Sequence, residues 1–291
     1  MTAAPLERIT IGRFHALAAG APDAPLVLVL HGFPDAPSSF APLLARLAAA
    51  GYRAVAPWMR GYAPSPLAGP YDADTLADDV LALGDQLSPD LPYSIVGHDW
   101  GALVTYVACA RAPARLARAV ALSVPHPAVF LRALATPAQL ARSWYMLAFQ
   151  LPGAVPIAAA FDFALIDRLW RVWSPGLVLP DAERRALHAT LRTSWPAPLL
   201  YYRALTRPLG PALARVRRRD RINVPTLYLH GTDDGCIAAP PTDGAEPFFA
   251  ADYRRELLPG AGHFLAVEQP AALAARITAW LASPNCGRPQ Q

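Results

Sequence analysis

The residue best suited to do chemistry in this sequence is Asp99, which stands between two glycines in the segment GHDWG at residues 97–101. A short apolar run with β-branched residues precedes this segment at residues 93–96 and indicates a buried strand. The Ala-rich run at residues 102–110 indicates a helix. Because glycine lacks a Cβ, the strand can turn sharply into the helix and display Asp99 beside the free N–H groups of the first helical turn.

A carboxylate displayed in this way is a nucleophile suited to saturated carbon. The turn has the form of the G-x-S-x-G nucleophile elbow, with aspartate in place of serine. A carboxylate is ionised at neutral pH, so it needs no base to deprotonate it, and its attack on an alkyl carbon gives an ester. The sequence therefore predicts alkyl transfer at Asp99 and not acyl transfer at a serine.

Two further groups follow in the chain order of a hydrolase triad. A predicted strand ends in the segment GTDD, so Asp233 and Asp234 follow its carboxyl end, where open α/β sheets form their sites. The segment GAGHF at residues 260–264 puts His263 in the loop after the next strand. Each signal alone is weak, because an aspartate after a strand is usually a turn residue. In the order nucleophile, acid and histidine, they indicate a catalytic triad.

A fourth segment, HGFPD at residues 31–35, follows another apolar strand. The small Gly32 allows the backbone to approach the site, so the N–H group of Phe33, with that of Trp100, can form an oxyanion hole. We predict a cis bond before Pro34, since cis peptide bonds are essentially confined to proline.

The order of strands and helices indicates how these segments are brought together. A first strand is predicted at residues 9–16, and strand and helix patterns then alternate up to about residue 124. The pattern changes to Leu, Ala, Trp and Tyr at helical spacing, and the alternation returns near residue 224. We predict an α/β core with a mostly parallel, doubly wound sheet, formed by residues 1–125 and 223–291 and interrupted by a helical lid at residues 126–222.

The charge balance argues against a nucleic-acid partner. The 291 residues are 54% apolar and 16% charged, which supports a large core, and the net charge is only +4. Five arginines form one basic cluster: Arg215, Arg217, Arg218, Arg219 and Arg221. We interpret this cluster as a solvated connector, because no aromatic residues interleave it.

Cysteine usage and hydropathy predict a soluble, cytoplasmic protein. Cys109, Cys236 and Cys286 have no motif spacing, and their odd number fits a reducing compartment. The N-terminus has no apolar stretch of the secretory type. Residues 145–161 are too few and too broken by proline to span a membrane. No cluster has metal-ligand spacing, so no metal or organic cofactor is expected.

The segments HGFPD, RGYAPSP, GHDWGA, GTDD and GAGHF, together with the helical lid, carry a family resemblance. Over essentially its whole length the chain resembles the α/β-hydrolase branch that contains epoxide hydrolases and haloalkane dehalogenases. The resemblance implies that Asp99 is the nucleophile and His263 the general base. It implies that Asp234 orients this histidine, with Asp233 as the alternative.

Two lid segments resemble those in which epoxide hydrolases carry the tyrosines that hold the epoxide oxygen. SWYMLAFQLPG at residues 143–153 resembles the first and implies Tyr145. PLLYYR at residues 198–203 resembles the second and implies Tyr202, with Tyr201 a neighbour that could be confused with it. The alternative is that both tyrosines only pack the lid.

The resemblance therefore implies an epoxide hydrolase that converts a small apolar or aromatic epoxide and water to a vicinal diol. We expect four further residues to contact the substrate: His31, Pro34, Trp144 and Tyr201. The apolar composition also favours a homodimer formed through the lid.

Two other functions stay open. The first is dehalogenation, because haloalkane and haloacid dehalogenases use the same triad. Haloalkane dehalogenases, however, typically have Asn or another donor where this chain has Phe33. Fluoroacetate dehalogenases typically have Arg after the nucleophile, where this chain has Trp100. Four lid indoles could still hold a halide: Trp144, Trp170, Trp173 and Trp195. A catalytically silent binding protein of this fold is disfavoured, because such proteins usually lose a triad residue.

Overall fold

The computed structural model describes residues 5–208, 221–239 and 242–284, which form one sheet of eight strands. The strands are β1 (Glu7–Ile11), β2 (Phe14–Ala19), β3 (Leu26–Leu30), β4 (Arg53–Pro57), β5 (Tyr93–His98), β6 (Leu116–Leu122), β7 (Thr226–Gly231) and β8 (Tyr253–Leu258). Their spatial order is β1-β2-β4-β3-β5-β6-β7-β8. The pairs from β4 to β8 are parallel, and β2 is antiparallel to β1 and to β4. The predicted mostly parallel, doubly wound sheet is confirmed.

Helices cover the sheet and make up most of the described chain between β6 and β7. They are α1 (Ala41–Ala49), α2 (Ala73–Leu87), α3 (Trp100–Arg111), α4 (Pro127–Leu134), α5 (Pro137–Arg142), α6 (Trp144–Ala148), α7 (Ala154–Trp173), α8 (Asp181–Ser194), α9 (Ala197–Ala204), α10 (Leu265–Glu268) and α11 (Pro270–Ala282). Helix α7 is broken at residues 160–163, where the backbone leaves helical geometry. No helix of the described residues is long and apolar enough to cross a membrane.

Alternate residues of the central strand β3 reach two separate apolar clusters, as expected for a strand covered on both faces. Val27 and Val29 pack with side chains of α1 and α11, whereas Leu28 and Leu30 pack with those of α2 and α3. This two-sided burial explains the continuous apolar run LVLVL.

The prediction of a single strand at residues 9–16 is wrong. The chain forms the antiparallel hairpin β1–β2 instead, with Ile11 paired with Phe14 across a turn. Gly12 adopts a φ of +56° in that turn, a conformation that glycine tolerates better than other residues. The loose alternation of residues 9–16 does not by itself show that Gly12 divides the segment into two strands.

Parallel strands bring distant segments to one edge. The segments after β3, β5 and β7 all leave the carboxyl ends of parallel neighbours, so HGFPD, GHDWG and the Asp234 loop meet at the same edge of the sheet. Of the basic cluster, Arg215, Arg217, Arg218 and Arg219 lie outside the described residues, as does Cys286. Arg221 donates a hydrogen bond to the carbonyl of Phe249 at 2.8 Å.

Candidate active site

The elbow after β5 holds Asp99 in a backbone conformation that is unusual for a non-glycine residue. Asp99 has φ 52° and ψ −114°, and α3 begins at the next residue. A Cβ on Gly97 would lie 2.1 Å from the carbonyl oxygen of Gly101, and a Cβ on Gly101 would lie 2.4 Å from that of Leu30. Glycine is therefore required on both sides for the strand to turn directly into the helix.

The loop after β3 contacts the Asp99 carboxylate through its backbone. The N–H group of Phe33 donates to Asp99 Oδ1 at 2.7 Å. A Cβ on Gly32 would lie 2.4 Å from the same oxygen, so this close approach depends on glycine. Trp100 is the first residue of α3, so its N–H group is among the donors left free at a helix start. The bond between Phe33 and Pro34 is cis, as predicted.

His31 and Pro34 hold this loop through contacts within the protein. His31 Nδ1 lies 3.0 Å from the carbonyl oxygen of Gly32, to which it donates, and Nε2 accepts from the N–H group of Met59 at 3.1 Å. Burial lowers the pKa of His31 to about 4, so the imidazole is neutral. The carbonyl of Pro34 accepts from the Trp170 indole at 3.0 Å. Both ring nitrogens of His31 are thus hydrogen-bonded within the protein. These bonds do not support substrate contact by His31 or Pro34, which stays a prediction.

His263 stands between two carboxylates. Its Nδ1 lies 2.8 Å from Asp234 Oδ2, and its Nε2 lies 3.6 Å from Asp99 Oδ2. Asp234 Oδ1 accepts from the N–H groups of Cys236 and Ile237 at 2.7 and 2.9 Å. The neighbouring acid, Asp233, is exposed and accepts from Thr232 Oγ1 at 2.8 Å. The structure therefore brings Asp234, and not Asp233, against His263.

The electrostatics of this group favour a charged imidazole while Asp99 is ionised. Burial alone lowers the pKa of His263, but the charges of Asp234 and Asp99 outweigh it and raise the pKa to about 10. Burial raises the pKa of Asp234, but the charge and hydrogen bond of His263 outweigh it and hold the pKa below its usual value. The buried Nε2 makes no hydrogen bond with the described residues, because 3.6 Å to Asp99 is an ion-pair distance.

The backbone of the His263 loop is held by residues that the sequence did not single out. Ser174 Oγ accepts from the N–H groups of His263 and Phe264 at 2.9 and 3.1 Å and donates to Glu268 Oε1 at 2.6 Å. His98 Nε2 donates to the carbonyl of His263 at 2.9 Å. No local motif marks Ser174 or Glu268, since their role arises from contacts between distant parts of the chain.

Asp35 is a further buried carboxyl close enough to Asp99 and His263 to be influenced by their charges. The sequence indicated Asp35 only as part of a turn. It accepts from the N–H group of Ala36 at 2.7 Å and from the Ser39 hydroxyl. Burial is the main cause that raises the pKa of Asp35 to about 7, and the charge of Asp99 adds to it.

The two predicted lid tyrosines lie together beside the elbow. The rings of Tyr145 and Tyr202 are 5.5 Å apart, and that of Tyr202 lies 5.1 Å from Phe33 and 5.4 Å from Trp100. Tyr145 Oη lies 3.3 Å from Cys236 Sγ. The buried Tyr202 hydroxyl has no well-aligned hydrogen bond among the described residues. A contact with the Trp100 indole acts to lower the pKa of Tyr202, but it is outweighed by the causes that raise this pKa. Burial, with the Asp99 charge, raises the pKa of both tyrosines well above 10, so both remain protonated.

The other two predicted substrate contacts lie differently. The Tyr201 hydroxyl donates to the carbonyl of Arg60, and its ring packs 5.1 Å from that of Trp100. Trp144 is 45% exposed. Substrate contact by either residue stays a prediction that these positions do not support.

Three residues of the site are of types that bind metal ions in proteins: Asp234, Cys236 and His263. Ligand atoms of Asp234, Cys236 and His263 lie within 4.8 Å of one another. Asp234, however, already accepts two N–H groups and the His263 imidazole. These bonds fit an oriented carboxylate–histidine pair better than a metal site.

Comparison with known proteins gives the family. The alpha/beta hydrolase fold family matches residues 25–270. Epoxide hydrolase A of Mycobacterium tuberculosis is 33% identical over 96% of this chain and 98% of its own length, and Epoxide hydrolase 3 of Xenopus tropicalis is 31% identical over 89% and 71%. The crystal structure of Epoxide Hydrolase A from Mycobacterium thermoresistibile superposes with a TM-score of 0.78 at 27% identity, covering 96% of this chain and 98% of that one. The chain belongs to the alpha/beta hydrolase family.

Proposed function

We propose that this chain is an epoxide hydrolase that opens an apolar or aromatic epoxide to a vicinal diol. The observation that carries the proposal is the pair of buried phenols, Tyr145 and Tyr202, beside the Asp99 carboxylate. An epoxide oxygen needs proton donors as its C–O bond breaks, and two protonated phenols supply them. The names of the aligned relatives support the same activity.

In the first step, Asp99 attacks an epoxide carbon. Since Oδ1 already accepts from the Phe33 N–H group, Oδ2 is the oxygen that we assign as the nucleophile. The new bond joins Oδ2 to carbon, the epoxide C–O bond breaks, and the oxygen that leaves takes a proton from one of the two phenols. The product is an ester on Asp99 with a free hydroxyl on the adjacent carbon.

In the second step, water hydrolyses the ester. Esterification removes the Asp99 charge, and with it one of the two carboxylates that raise the pKa of His263. As its pKa falls, His263 gives its proton to the phenolate that the first step leaves, which restores the phenol. The neutral imidazole, oriented by Asp234 through the 2.8 Å hydrogen bond, then takes a proton from the water that attacks the ester carbon. The N–H groups of Phe33 and Trp100 stabilise the oxyanion on Oδ1. The Cγ–Oδ2 bond breaks, and His263 returns its proton to the diol oxygen.

Dehalogenation, the nearest alternative, is less well supported. A halide needs N–H donors and no proton. Of the four lid indoles that could supply them, two are already bonded within the protein: Trp170 donates to Pro34, and Trp195 donates to the carbonyl of Val155 at 3.0 Å. The Phe33 side chain offers no donor.

We also propose a lid and a reaction that needs no cofactor. The helices α4–α9 form the lid, with residues 126–222 as its bounds, and the reaction uses no metal or organic cofactor.

We further propose a cytoplasmic location and a homodimer. The two described cysteines are free thiols, which supports a cytoplasmic location. Large apolar side chains of the lid are exposed and favour a homodimer: Trp144, Leu147, Leu151, Ile157 and Phe161. Sedimentation velocity of the full chain tests the dimer.

The test of the activity is a parallel assay of diol and halide. The purified chain is incubated with styrene oxide, with an alkyl epoxide and with a bromoalkane, and Asp99→Asn serves as the inactive control. We expect diol from an epoxide and no halide. Halide release without diol would assign a dehalogenase, and the absence of both products would favour a silent binding protein.

A further inference from the structure

Cys236 brings a thiol to one of the two phenols. It follows Asp234 by two residues, and its Sγ lies 3.3 Å from Tyr145 Oη. Both side chains are buried. Burial, with the charges of Asp234 and Asp99, raises the pKa of the Cys236 thiol well above its usual value, so the sulfur carries a proton. A buried S–H group is a weak donor and a weak acceptor.

The position of this sulfur is fixed by its own backbone. The N–H group of Cys236 donates to Asp234 Oδ1 at 2.7 Å, and its carbonyl accepts from Gln139 Nε2 at 2.9 Å. Gln139 Oε1 accepts from the N–H group of Ala238 at 3.1 Å, and Arg142 donates to the carbonyl of Asp234 at 3.0 Å. Helix α5 is therefore bonded to the loop that carries both Asp234 and Cys236.

The two phenols consequently differ. The Tyr202 hydroxyl is buried without a well-aligned partner, whereas Tyr145 Oη has the thiol beside it. An epoxide oxygen is a better acceptor than a thiol sulfur, so Tyr145 can turn its proton to a bound epoxide. The S–H group can then donate to the Tyr145 oxygen.

We propose that Cys236 is a positioning residue for proton donation by Tyr145, an inference that rests on the proposed function. The phenol O–H bond breaks, the proton forms a new O–H bond on the opening epoxide, and the electron pair left on Tyr145 Oη accepts the S–H hydrogen bond. The thiol keeps its proton throughout. The Tyr145 phenolate is then protonated by His263, which becomes the neutral base of the second step. Of the two protons of the hydrolytic water, one reaches the diol oxygen through His263, and the other restores the charged imidazole as the Asp99 carboxylate is regenerated.

The test measures ester formation and ester hydrolysis separately, in single turnovers of styrene oxide. Cys236→Ala should slow ester formation about fivefold, the effect of one weak hydrogen bond, and should leave ester hydrolysis unchanged. Cys236→Ser, whose hydroxyl can also donate, should stay within about twofold of the wild type. In a Tyr145→Phe background the effect of Cys236→Ala should vanish. Cys109→Ala is the matched control, because Cys109 is also a buried thiol but lies in α3 among core side chains.

Other results would overturn the proposal. Two results would mean that the thiol does not act through Tyr145. Cys236→Ala could form the ester at the wild-type rate, or the rate loss in the double variant could equal the product of the losses in Cys236→Ala and Tyr145→Phe. Equal slowing of both steps would mean that the substitution only disturbs the Asp234 loop. If the wild type forms no diol from any epoxide, the proposed function itself fails, which is a distinct outcome from a wild type that is active but insensitive at Cys236.

Discussion

The Nε2 atom of His263 lies 3.6 Å from Oδ2 of Asp99, on the side of the imidazole opposite the Asp234 hydrogen bond. The two carboxylates together raise the pKa of the imidazole to about 10, so it is charged while Asp99 is ionised. A charged imidazole cannot take a proton from water. In the proposed cycle, formation of the ester removes one carboxylate and so prepares the histidine to act as a base only when a base is needed.

This relationship predicts that Asp99→Asn lowers the pKa of His263. The amide keeps the shape of Asp99 but not its charge, so the imidazole should titrate at lower pH than in the wild type, as measured by NMR of its ring protons. Since folding raises the pKa of His263 from 6.5, its contribution to the free energy of unfolding is full below pH 6.5 and is lost as pH rises to about 10. Asp99→Asn should lose less stability over that window. An unchanged imidazole pKa would contradict the coupling.

The two neighbouring acids after β7 form a matched pair of variants. Asp234→Asn removes the charge that orients His263, and the turnover number should fall by about a thousandfold or more, with the ester accumulating. Asp233→Asn should leave turnover within about twofold, because exposed substitutions away from a site have small effects. Steady-state assays with styrene oxide measure both. Equal losses in the two variants would remove the assignment of Asp234.

The lid tyrosines should act in ester formation and not in ester hydrolysis. Tyr145→Phe and Tyr202→Phe should each slow ester formation by about tenfold to a hundredfold, and the double variant should nearly abolish it, since general-acid groups typically contribute 10²–10⁴-fold. Tyr106→Phe is the control, because its buried hydroxyl bonds only the carbonyl of Val124 at 3.2 Å among the described residues. A large loss in Tyr201→Phe with none in Tyr202→Phe would mean that the adjacent tyrosine was the right choice.

The close approach of the HGFPD loop to Asp99 predicts that a methyl group added at Gly32 severely lowers activity. Gly32→Ala would put a Cβ 2.4 Å from Asp99 Oδ1, so the carboxylate or the Phe33 N–H group must move. The variant should fold, as judged by circular dichroism, and lose about a hundredfold or more in kcat/KM, the effect of losing one oxyanion donor. Gly176→Ala, where a Cβ meets nothing within 4 Å, is the control. Wild-type activity of Gly32→Ala would mean that the loop does not serve the reaction.

The sequence predicted the sheet, the elbow and the meeting of Asp99, Asp234 and His263 at one edge of the sheet, because these features depend on local spacing and on where strands end. Three features were beyond it. The hairpin of β1 and β2 was missed because residues 9–16 alternate loosely, and the turn at Gly12 does not show in that pattern. Ser174, Cys236 and Glu268 were missed because their contacts join residues far apart in the chain or depend on a single side-chain direction. The choice of Tyr202 over Tyr201 came from resemblance alone, since periodicity does not separate adjacent lid residues.

The most direct test of the covalent mechanism is a search for the ester itself. His263→Gln should still form the ester but hydrolyse it very slowly, so incubation with styrene oxide should trap it. Proteolysis and mass spectrometry should then find the mass of one styrene oxide added to the peptide that contains Asp99, and fragmentation should locate it on that residue. An unmodified Asp99 peptide after prolonged incubation, or an adduct on another side chain, would contradict nucleophilic attack by Asp99.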